Sequence, residues 1–152
     1  WWWLQMKPEH KHFILRAEVK HPPGEKSKQR IWNWMFFLIK DIGMKIMFGP
    51  EVRYVRQEGN EGLTAVAIIE TSHVALHVWD KQDPPLLQLD VYTCGPFKPE
   101  VVLKAIREFI PTKIQWKYLD RETDLHTVDI GQWSEDSPWP DNSHLRGSDD
   151  TN

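Results

Sequence analysis

The stretch LTAVAIIETSHVALHVW, from Leu63 to Trp79, contains two strand-like runs joined by a tight junction. The first run is Leu63–Glu70 and the second is His73–Trp79. Apolar and β-branched residues fill both runs, a composition typical of strands. In the first run they occupy nearly every position, as in strands that are buried on both faces. We therefore predict a central strand that is followed, after a sharp turn, by a second strand.

The rest of the chain predicts further strands and two helices around this pair. Apolar residues recur at three- and four-residue steps over Glu25–Asp41, as on one face of a helix, and Gly43 follows as a C-terminal cap. A second helix is predicted over Pro99–Ile110, where Pro99 fits the first turn. The further strand-like runs are His12–Val19, Lys45–Gln57, Leu86–Thr93 and Lys113–Leu119. The order β-α-β-β-β-β-α-β predicts an α+β fold, a two-layer sandwich with an antiparallel sheet and two helices on one face.

Length and composition fit one domain flanked by segments of a different character. The chain has 152 residues, of which 40% are hydrophobic and 27% charged, which is enough for one core. We predict an N-terminal extension over residues 1–11, an α+β domain over residues 12–120 and an acidic, flexible tail over residues 121–152. Within the tail, Trp133 and Trp139 are predicted to dock locally on the domain or on a partner.

Charge and cysteine content exclude several classes of partner. The chain carries 19 basic and 22 acidic side chains, a net charge of −3, so no positive field attracts nucleic acid or an anionic membrane. No uninterrupted apolar run reaches the ~18 residues that a spanning helix needs. Cys94 is the single cysteine and cannot form an internal disulfide, which indicates a reducing compartment. We therefore predict a cytoplasmic protein that binds neither nucleic acid nor a membrane.

Two clusters place reactive side chains at the ends of predicted strands. One contains Ser72, His73 and His77, and the other ends at Cys94. Functional groups commonly lie where a rigid strand meets a loop. Spacing alone leaves two interpretations open: a catalytic cluster, or a serine that caps a turn beside two half-exposed histidines.

A metal site is the first functional alternative for the two histidines. His73 and His77 share one face of a strand but lie about 13 Å apart at the usual rise per residue. That separation is too large for both imidazoles to bind one ion on a straight strand. No further cysteine or histidine stands at a spacing typical of zinc sites. We therefore predict no metal site.

Two motifs together resemble the prokaryotic S-adenosylmethionine decarboxylases. The run IETSHVALHVW, residues 69–79, is similar to the family pattern ESH-x-x-x-HTWPE, and LDVYTCG, residues 89–95, is similar to DVFTCG. The motifs occur in the family's order and at nearly its separation. The resemblance extends from about His12 to Asp120, roughly three-quarters of the chain, and implies the S-adenosylmethionine decarboxylase fold.

This resemblance implies a proenzyme that cleaves itself between Thr71 and Ser72. The serine matching Ser72 attacks the preceding carbonyl, and elimination then leaves a pyruvoyl group as a self-made cofactor. That cofactor forms a Schiff base with S-adenosylmethionine, whose decarboxylation serves spermidine synthesis. The resemblance makes Cys94 the general acid of turnover and His77 the proton acceptor of processing, with Thr64 assisting. It also implies a homodimer of processed protomers with active sites near the subunit boundary.

Three residues are candidates for substrate binding. Trp79 and Tyr54 offer aromatic walls for an adenine ring or a sulfonium cation, and ordinary sheet packing is an equally good interpretation of both. Glu70 lies one position before the place of the family's glutamate, where Thr71 stands here.

Departures from the family pattern leave other functions open. Asp80-Lys81 replaces Pro-Glu after the tryptophan, and the loop before Cys94 is two residues longer than the common spacing. One alternative keeps the fold but acts on ornithine or arginine, or degrades S-adenosylmethionine as a lyase or hydrolase. Another alternative is a homologue that binds a ligand without cleaving its own chain. Thr71 at the cleavage site is the observation that favours it.

Overall fold

The computed structural model describes residues 9–140, and the predicted N-terminal extension and acidic tail fall partly outside them. Short 3₁₀ turns at Glu25–Ser27 and Arg107–Phe109 flank the helices. The strands are β1 (Lys11–Val19), β2 (Ile46–Val55), β3 (Gly62–Ile69), β4 (Ser72–Trp79), β5 (Leu86–Thr93), β6 (Pro111–Asp120) and β7 (Thr127–Ser134). The helices are α1 (Lys28–Asp41) and α2 (Pro99–Ile106). Within the described residues, neither helix combines the length and apolarity that a membrane crossing requires.

The strands within residues 9–140 form one antiparallel sheet in the order β2-β3-β4-β5-β1-β6-β7. The centre is β5, whereas β3 lies one strand from the edge, so the predicted central position of β3 is wrong. Its second apolar face is uncovered in this chain, where Val66 and Ile68 remain 39% and 49% exposed. The apolar pattern therefore predicted the two apolar faces of β3 correctly but not the position of β3 in the sheet.

Both helices pack on one face of the sheet, which confirms the predicted two-layer α+β sandwich. On α1 the buried side chains follow three- and four-residue steps, and Trp34 donates its indole N–H to the Ala105 carbonyl at 2.8 Å. Alternate side chains of β1 and β3–β6 join the helices in one apolar core. Burial of this core drives folding at roughly 25 cal/mol per Å² of apolar surface. We call the opposite surface of the sheet the open face.

The structure differs from the predicted tail because the chain returns to the sheet after residue 126. β7 pairs with β6 along Lys113–Leu119. Trp133 and Trp139 then pack edge to face with ring centroids 4.9 Å apart, and the Arg107 guanidinium lies 4.6 Å from the Trp139 centroid. Polar residues obscured this strand in the sequence, since an edge strand is held by backbone hydrogen bonds as much as by apolar side chains.

Gly131 allows β7 to lie directly over a buried tryptophan. The Trp116 side chain is 3% exposed and pairs with Gly131 across the ladder. A Cβ atom at position 131 would lie 1.9 Å from Cζ2 of Trp116, closer than atoms can approach. The absence of a side chain is therefore a packing requirement of the β6–β7 pair.

Gly131→Ala should lower the free energy of unfolding by about 1–3 kcal/mol, the usual cost of overpacking a core. The substitution forces either the Trp116 ring or β7 out of place. Urea unfolding followed by tryptophan fluorescence measures the loss. The matched control is Gly95→Ala, whose new Cβ meets only the Met44 sulfur at 3.9 Å. Equal stability of the two variants would show that β7 does not pack on Trp116.

Candidate active site

The β3–β4 hairpin holds Ser72 beside a strained turn. Ile69 and Ser72 pair at the end of the ladder, which leaves Glu70 and Thr71 as a two-residue turn. Thr71 has φ +52°, in the left-handed region. For a β-branched residue, the left-handed conformation costs about 1–3 kcal/mol. The strain therefore sits on the residue that precedes Ser72.

Three polar side chains donate hydrogen bonds to one backbone carbonyl at this turn. The Glu70 carbonyl accepts hydrogen bonds from Ser72 Oγ at 2.8 Å and Thr71 Oγ1 at 2.9 Å. The Cys94 thiol donates to the same oxygen at 3.1 Å. Ser72 is 7% exposed, so its hydroxyl is largely protected from water. The structure thus brings two predicted residues together, and we call them the Ser72–Cys94 pair.

Cys94 reaches this turn because β5 runs beside β4. His73 pairs with Tyr92, so the residues that follow Thr93 emerge next to the start of β4. The buried Thr93 hydroxyl donates to the Gly95 carbonyl at 2.6 Å and fixes the bend after the strand. The Glu9 amide also donates to the Cys94 carbonyl at 2.9 Å. Backbone bonds on both sides therefore hold the thiol in place.

Thr64 and His77 form a second pair, on the open face. They are direct partners in the β3–β4 ladder, with Thr64 Oγ1 3.2 Å from His77 Nδ1. The His77 side chain is exposed. Because a hydroxyl and an imidazole can exchange a proton along such a bond, the Thr64–His77 pair has the composition of an acid–base couple.

The chain does not bring the two pairs together. His77 lies five residues from Ser72 along β4, which is about 16 Å at the rise of a strand. An odd separation also places the two side chains on opposite faces of the sheet. Ser72 faces the core, whereas His77 faces outward. Within one chain, His77 is out of reach of the Ser72 hydroxyl.

The predicted aromatic walls are also on different faces. Trp79 lies on the open face, where its ring centroid is 6.3 Å from that of His77 and its indole N–H donates to Asn60 at 2.8 Å. Tyr54 pairs with the buried Leu63 and therefore points toward the helix layer. Burial and a hydrogen bond to Asp80 at 2.9 Å raise the pKa of Tyr54 to about 12. The two rings cannot form one slot within a chain.

Sequence reasoning missed a polar cluster on the open face. Asp90 Oδ1 lies 2.5 Å from His12 Nε2 and 3.2 Å from His73 Nε2. Burial alone would raise the pKa of Asp90, but the neighbouring His12 and His73 side chains outweigh it and hold that pKa below its usual value. Arg121 donates to His12 Nδ1 at 3.2 Å and stacks 4.2 Å from the Tyr92 centroid. Only strand register joins residues so distant in sequence.

A groove of about 920 Å³ crosses the open face from β4 to β7. Among its lining side chains are Ile14, Arg16, His77, Gln88 and Lys117. Strand alternation places all five on the side opposite the helices. The open face is therefore concave and partly apolar, and no other part of residues 9–140 covers it.

Comparison with known proteins identifies the family. The model of the S-adenosylmethionine decarboxylase family matches residues 16–122. The chain belongs to the S-adenosylmethionine decarboxylase family. This match confirms the resemblance that the two motifs predicted, and it includes the Ser72–Cys94 pair and the Thr64–His77 pair.

Individual members of the S-adenosylmethionine decarboxylase family match shorter stretches. The S-adenosylmethionine decarboxylase proenzyme of Pyrobaculum arsenaticum is 38% identical over 64 residues, which cover 41% of this chain and 50% of the relative. The proenzyme of Archaeoglobus fulgidus is 35% identical over 68 residues, covering 43% and 59%. The chain thus spans between half and three-fifths of the curated relatives it matches.

A solved S-adenosylmethionine decarboxylase shares the fold. The crystal structure of the adenosylmethionine decarboxylase from Aquifex aeolicus superposes with a TM-score of 0.52 at 19% identity. The match covers 83% of this chain and 99% of that one. The predicted S-adenosylmethionine decarboxylase-like architecture is therefore confirmed at the level of fold.

Proposed function

We propose that the chain is an S-adenosylmethionine decarboxylase proenzyme that cleaves itself between Thr71 and Ser72. The observation that carries the proposal is the convergence of Ser72 and Cys94 on the Glu70 carbonyl, within the family's two motifs. A serine at a strained turn and a thiol beside it are the groups that processing and turnover require. The pairing also fits a pyruvoyl group at position 72, because that group would form within reach of the Cys94 thiol.

Processing begins with attack of Ser72 Oγ on the Thr71 carbonyl carbon. The C–N bond breaks as the C–O ester bond forms, and the hydroxyl proton passes to the freed nitrogen. Removal of the Ser72 Cα proton then expels the Thr71 carboxylate, and water replaces the remaining nitrogen, which leaves as ammonia. The pyruvoyl group supplies an electron-withdrawing carbonyl for decarboxylation. Cys94 then delivers a proton to the substrate's α-carbon.

Backbone strain at Thr71 contributes to cleavage because the ester relieves it. Thr71→Gly removes the steric cost of the left-handed conformation at the expense of chain entropy, a net gain of about 0.5–1 kcal/mol in stability. Relief of that strain should slow self-cleavage by about twofold to fivefold. Urea unfolding of the uncut Ser72→Ala background measures the first effect, and a cleavage time course measures the second. A more stable variant that cleaves at the original rate would contradict this use of strain.

Processing also needs a base, and the structure favours one from a second copy of the chain. The base must remove the Ser72 Cα proton, and the Glu70 carbonyl, which accepts the hydrogen bond of the Ser72 hydroxyl, is too weak a base for this step. The His77 imidazole of the same chain is about 16 Å away by strand geometry. We therefore propose a homodimer in which the Thr64–His77 pair of one protomer serves the Ser72–Cys94 pair of its partner. The concave open face, with Ile14 and Ile68 exposed, offers the apolar surface for this contact. Because Ser72 faces the core, the partner's His77 would have to reach the Ser72 turn around the end of β4.

Mixed dimers test this exchange. The Ser72→Ala chain and the His77→Ala chain should each remain uncut when produced alone. When the two are produced together, the His77→Ala chain should be cut, because its intact Ser72 meets the intact His77 of the partner. Chains of different length separate the products on a denaturing gel, and light scattering verifies that mixed dimers form. Mixed dimers in which both chains remain uncut would contradict the exchange.

We propose that Trp79, Glu70 and Tyr54 contribute to substrate binding. Trp79 beside His77 offers a π surface for the adenine ring or the sulfonium of S-adenosylmethionine. Glu70 presents an exposed carboxylate next to the turn that would carry the cofactor. Tyr54 would act from the helix side through Asp80. The free thiol of Cys94 fits the reducing cytoplasm, where we place the activity.

Release of carbon dioxide identifies the reaction. The cut protein is incubated in parallel with S-adenosylmethionine, ornithine and arginine, each labelled in the carboxyl group. The proposal predicts labelled carbon dioxide from S-adenosylmethionine alone and none from the Ser72→Ala protein. The second candidate function, another substrate or reaction on the same fold, rests on the engagement of Asp80 by Tyr54 in the altered loop. It predicts release from ornithine or arginine, or methylthioadenosine without carbon dioxide.

A further inference from the structure

Three side chains with metal-binding atoms meet on the open face, on the side of the sheet opposite the Ser72 hydroxyl. His12 Nε2, His73 Nε2 and Asp90 Oδ1 all lie within 4.8 Å of one another. They come from the neighbouring strands β1, β4 and β5, and none has a role in the proposed processing. We propose that these three atoms bind one first-row divalent metal ion, as a site separate from the self-made cofactor.

The sheet holds these ligands in fixed positions. His12 and His73 both pair with Tyr92, so the two imidazoles flank β5 at the same level. Asp90 stands two residues from Tyr92 on the same face of β5. Ladder hydrogen bonds on both sides of β5 fix the three Cα atoms, so little order needs to be created when an ion binds. Such a preformed set differs from a chance meeting of flexible surface residues.

The two distances to Asp90 require only a small expansion. Around an ion with bonds of about 2.0–2.2 Å, neighbouring ligand atoms lie roughly 3.3 Å apart. The His73–Asp90 distance is already 3.2 Å, and the His12–Asp90 distance of 2.5 Å would open by less than 1 Å. In the single protomer, side-chain exposures of 14% for His12, 42% for His73 and 40% for Asp90 leave room for water on the remaining positions.

The ligand types restrict the class of metal. Two imidazoles and one carboxylate suit Zn²⁺, Fe²⁺, Co²⁺ or Ni²⁺. Mg²⁺ and Ca²⁺ favour oxygen ligands and are disfavoured here. The earlier prediction of no metal site rested on His73 and His77, which share a strand. The structure instead joins His73 to residues of two other strands.

Arg121 competes with the metal for His12. A guanidinium only donates, so in the metal-free protein His12 Nδ1 accepts from Arg121 and Nε2 carries the proton toward Asp90. Binding of an ion at Nε2 requires that proton to move to Nδ1, and Arg121 must then turn away. Its exposed position allows this movement. Removal of the guanidinium should therefore strengthen metal binding, the opposite of what loss of a ligand would do.

Metal titration of the untagged full chain tests the site. The chain carries Ser72→Ala, so that the result does not depend on self-cleavage, and is freed of metal by a chelator. Zn²⁺ is titrated by calorimetry, and Co²⁺ by its visible absorption. We expect one ion per chain. His12→Gln, His73→Gln and Asp90→Asn should each weaken binding by at least the 10- to 100-fold that loss of an outer-shell partner costs.

Two further variants separate this site from chance binding. Arg121→Gln should tighten Zn²⁺ binding severalfold, a gain that an unfolded variant cannot mimic. His126→Gln removes an exposed histidine beside Asp124 and should leave the affinity unchanged. Absence of stoichiometric binding, weaker binding in Arg121→Gln, or a loss caused by His126→Gln but not by the three ligand variants would each overturn the proposal.

Discussion

Ser72→Ala should leave the chain in one piece. The alanine has no oxygen to attack the Thr71 carbonyl, so neither the ester nor the pyruvoyl group can form. The change removes one hydrogen bond to the Glu70 carbonyl, which costs stability only about 0.5–1.5 kcal/mol. The loss of cleavage should therefore be complete while the fold persists.

A denaturing gel of freshly made and aged protein measures this effect, with circular dichroism as the test of folding. Ser137→Ala, in the turn after β7, is the matched control and should cleave like the unmodified chain. Cleavage of the folded Ser72→Ala chain at residue 71 would assign the nucleophile to another group.

Cys94→Ala should separate turnover from processing. Loss of a positioned general acid typically costs about 10²- to 10⁴-fold in rate. Self-cleavage depends on Ser72 and on a base, so most of the Cys94→Ala chain should still be cut. The thiol donates only a weak hydrogen bond to Glu70, and its loss should alter the hairpin little.

The measurement is the rate of carbon dioxide release per cut chain, so that incomplete processing does not enter the result. Cys94→Ser is the matched variant, because it keeps a small donor at this position but holds its proton more tightly than a thiol. An unchanged rate per cut chain in Cys94→Ala would show that Cys94 is not the proton donor.

The sequence predicted the helix and sheet layers and the positions of Ser72 and Cys94 at strand ends, because patterns within short stretches of sequence encode them. The three- and four-residue spacing on α1 indicated one buried face, and the buried face formed as expected. The short junction between β3 and β4 put Ser72 at a turn. Cys94 followed from the motif and from its place just after β5. These features depend on residues close together in the chain.

Other features depend on register and could not be predicted in the same way. The His12–Asp90 contact joins residues 78 positions apart, and the apolar pattern of β1 and β5 does not specify which residues oppose each other. Likewise, β7 places Asp129 opposite Tyr118 and Gly131 opposite Trp116. Aspartate and glycine are typical of loops, so the sequence of β7 resembles a loop. Pairing with β6, rather than intrinsic propensity, selects the strand.

The spacing of Ser72 and His77 already indicates where their side chains lie. Ser72 and His77 are an odd number of residues apart on one strand, so period-two alternation alone predicts opposite faces. The family resemblance gave both residues roles in one reaction. The opposite faces and the two roles are compatible if the residues act in different protomers, as in the proposed homodimer.

The mass of the unmodified chain after expression tests the central claim most directly. Self-cleavage predicts two fragments, residues 1–71 and residues 72–152, and an amino terminus at position 72 that is blocked to sequencing because it is a pyruvoyl group. Reaction of the second fragment with a carbonyl reagent should add one label. A single mass for the intact chain, unchanged on long incubation of the folded protein, would contradict the pyruvoyl mechanism.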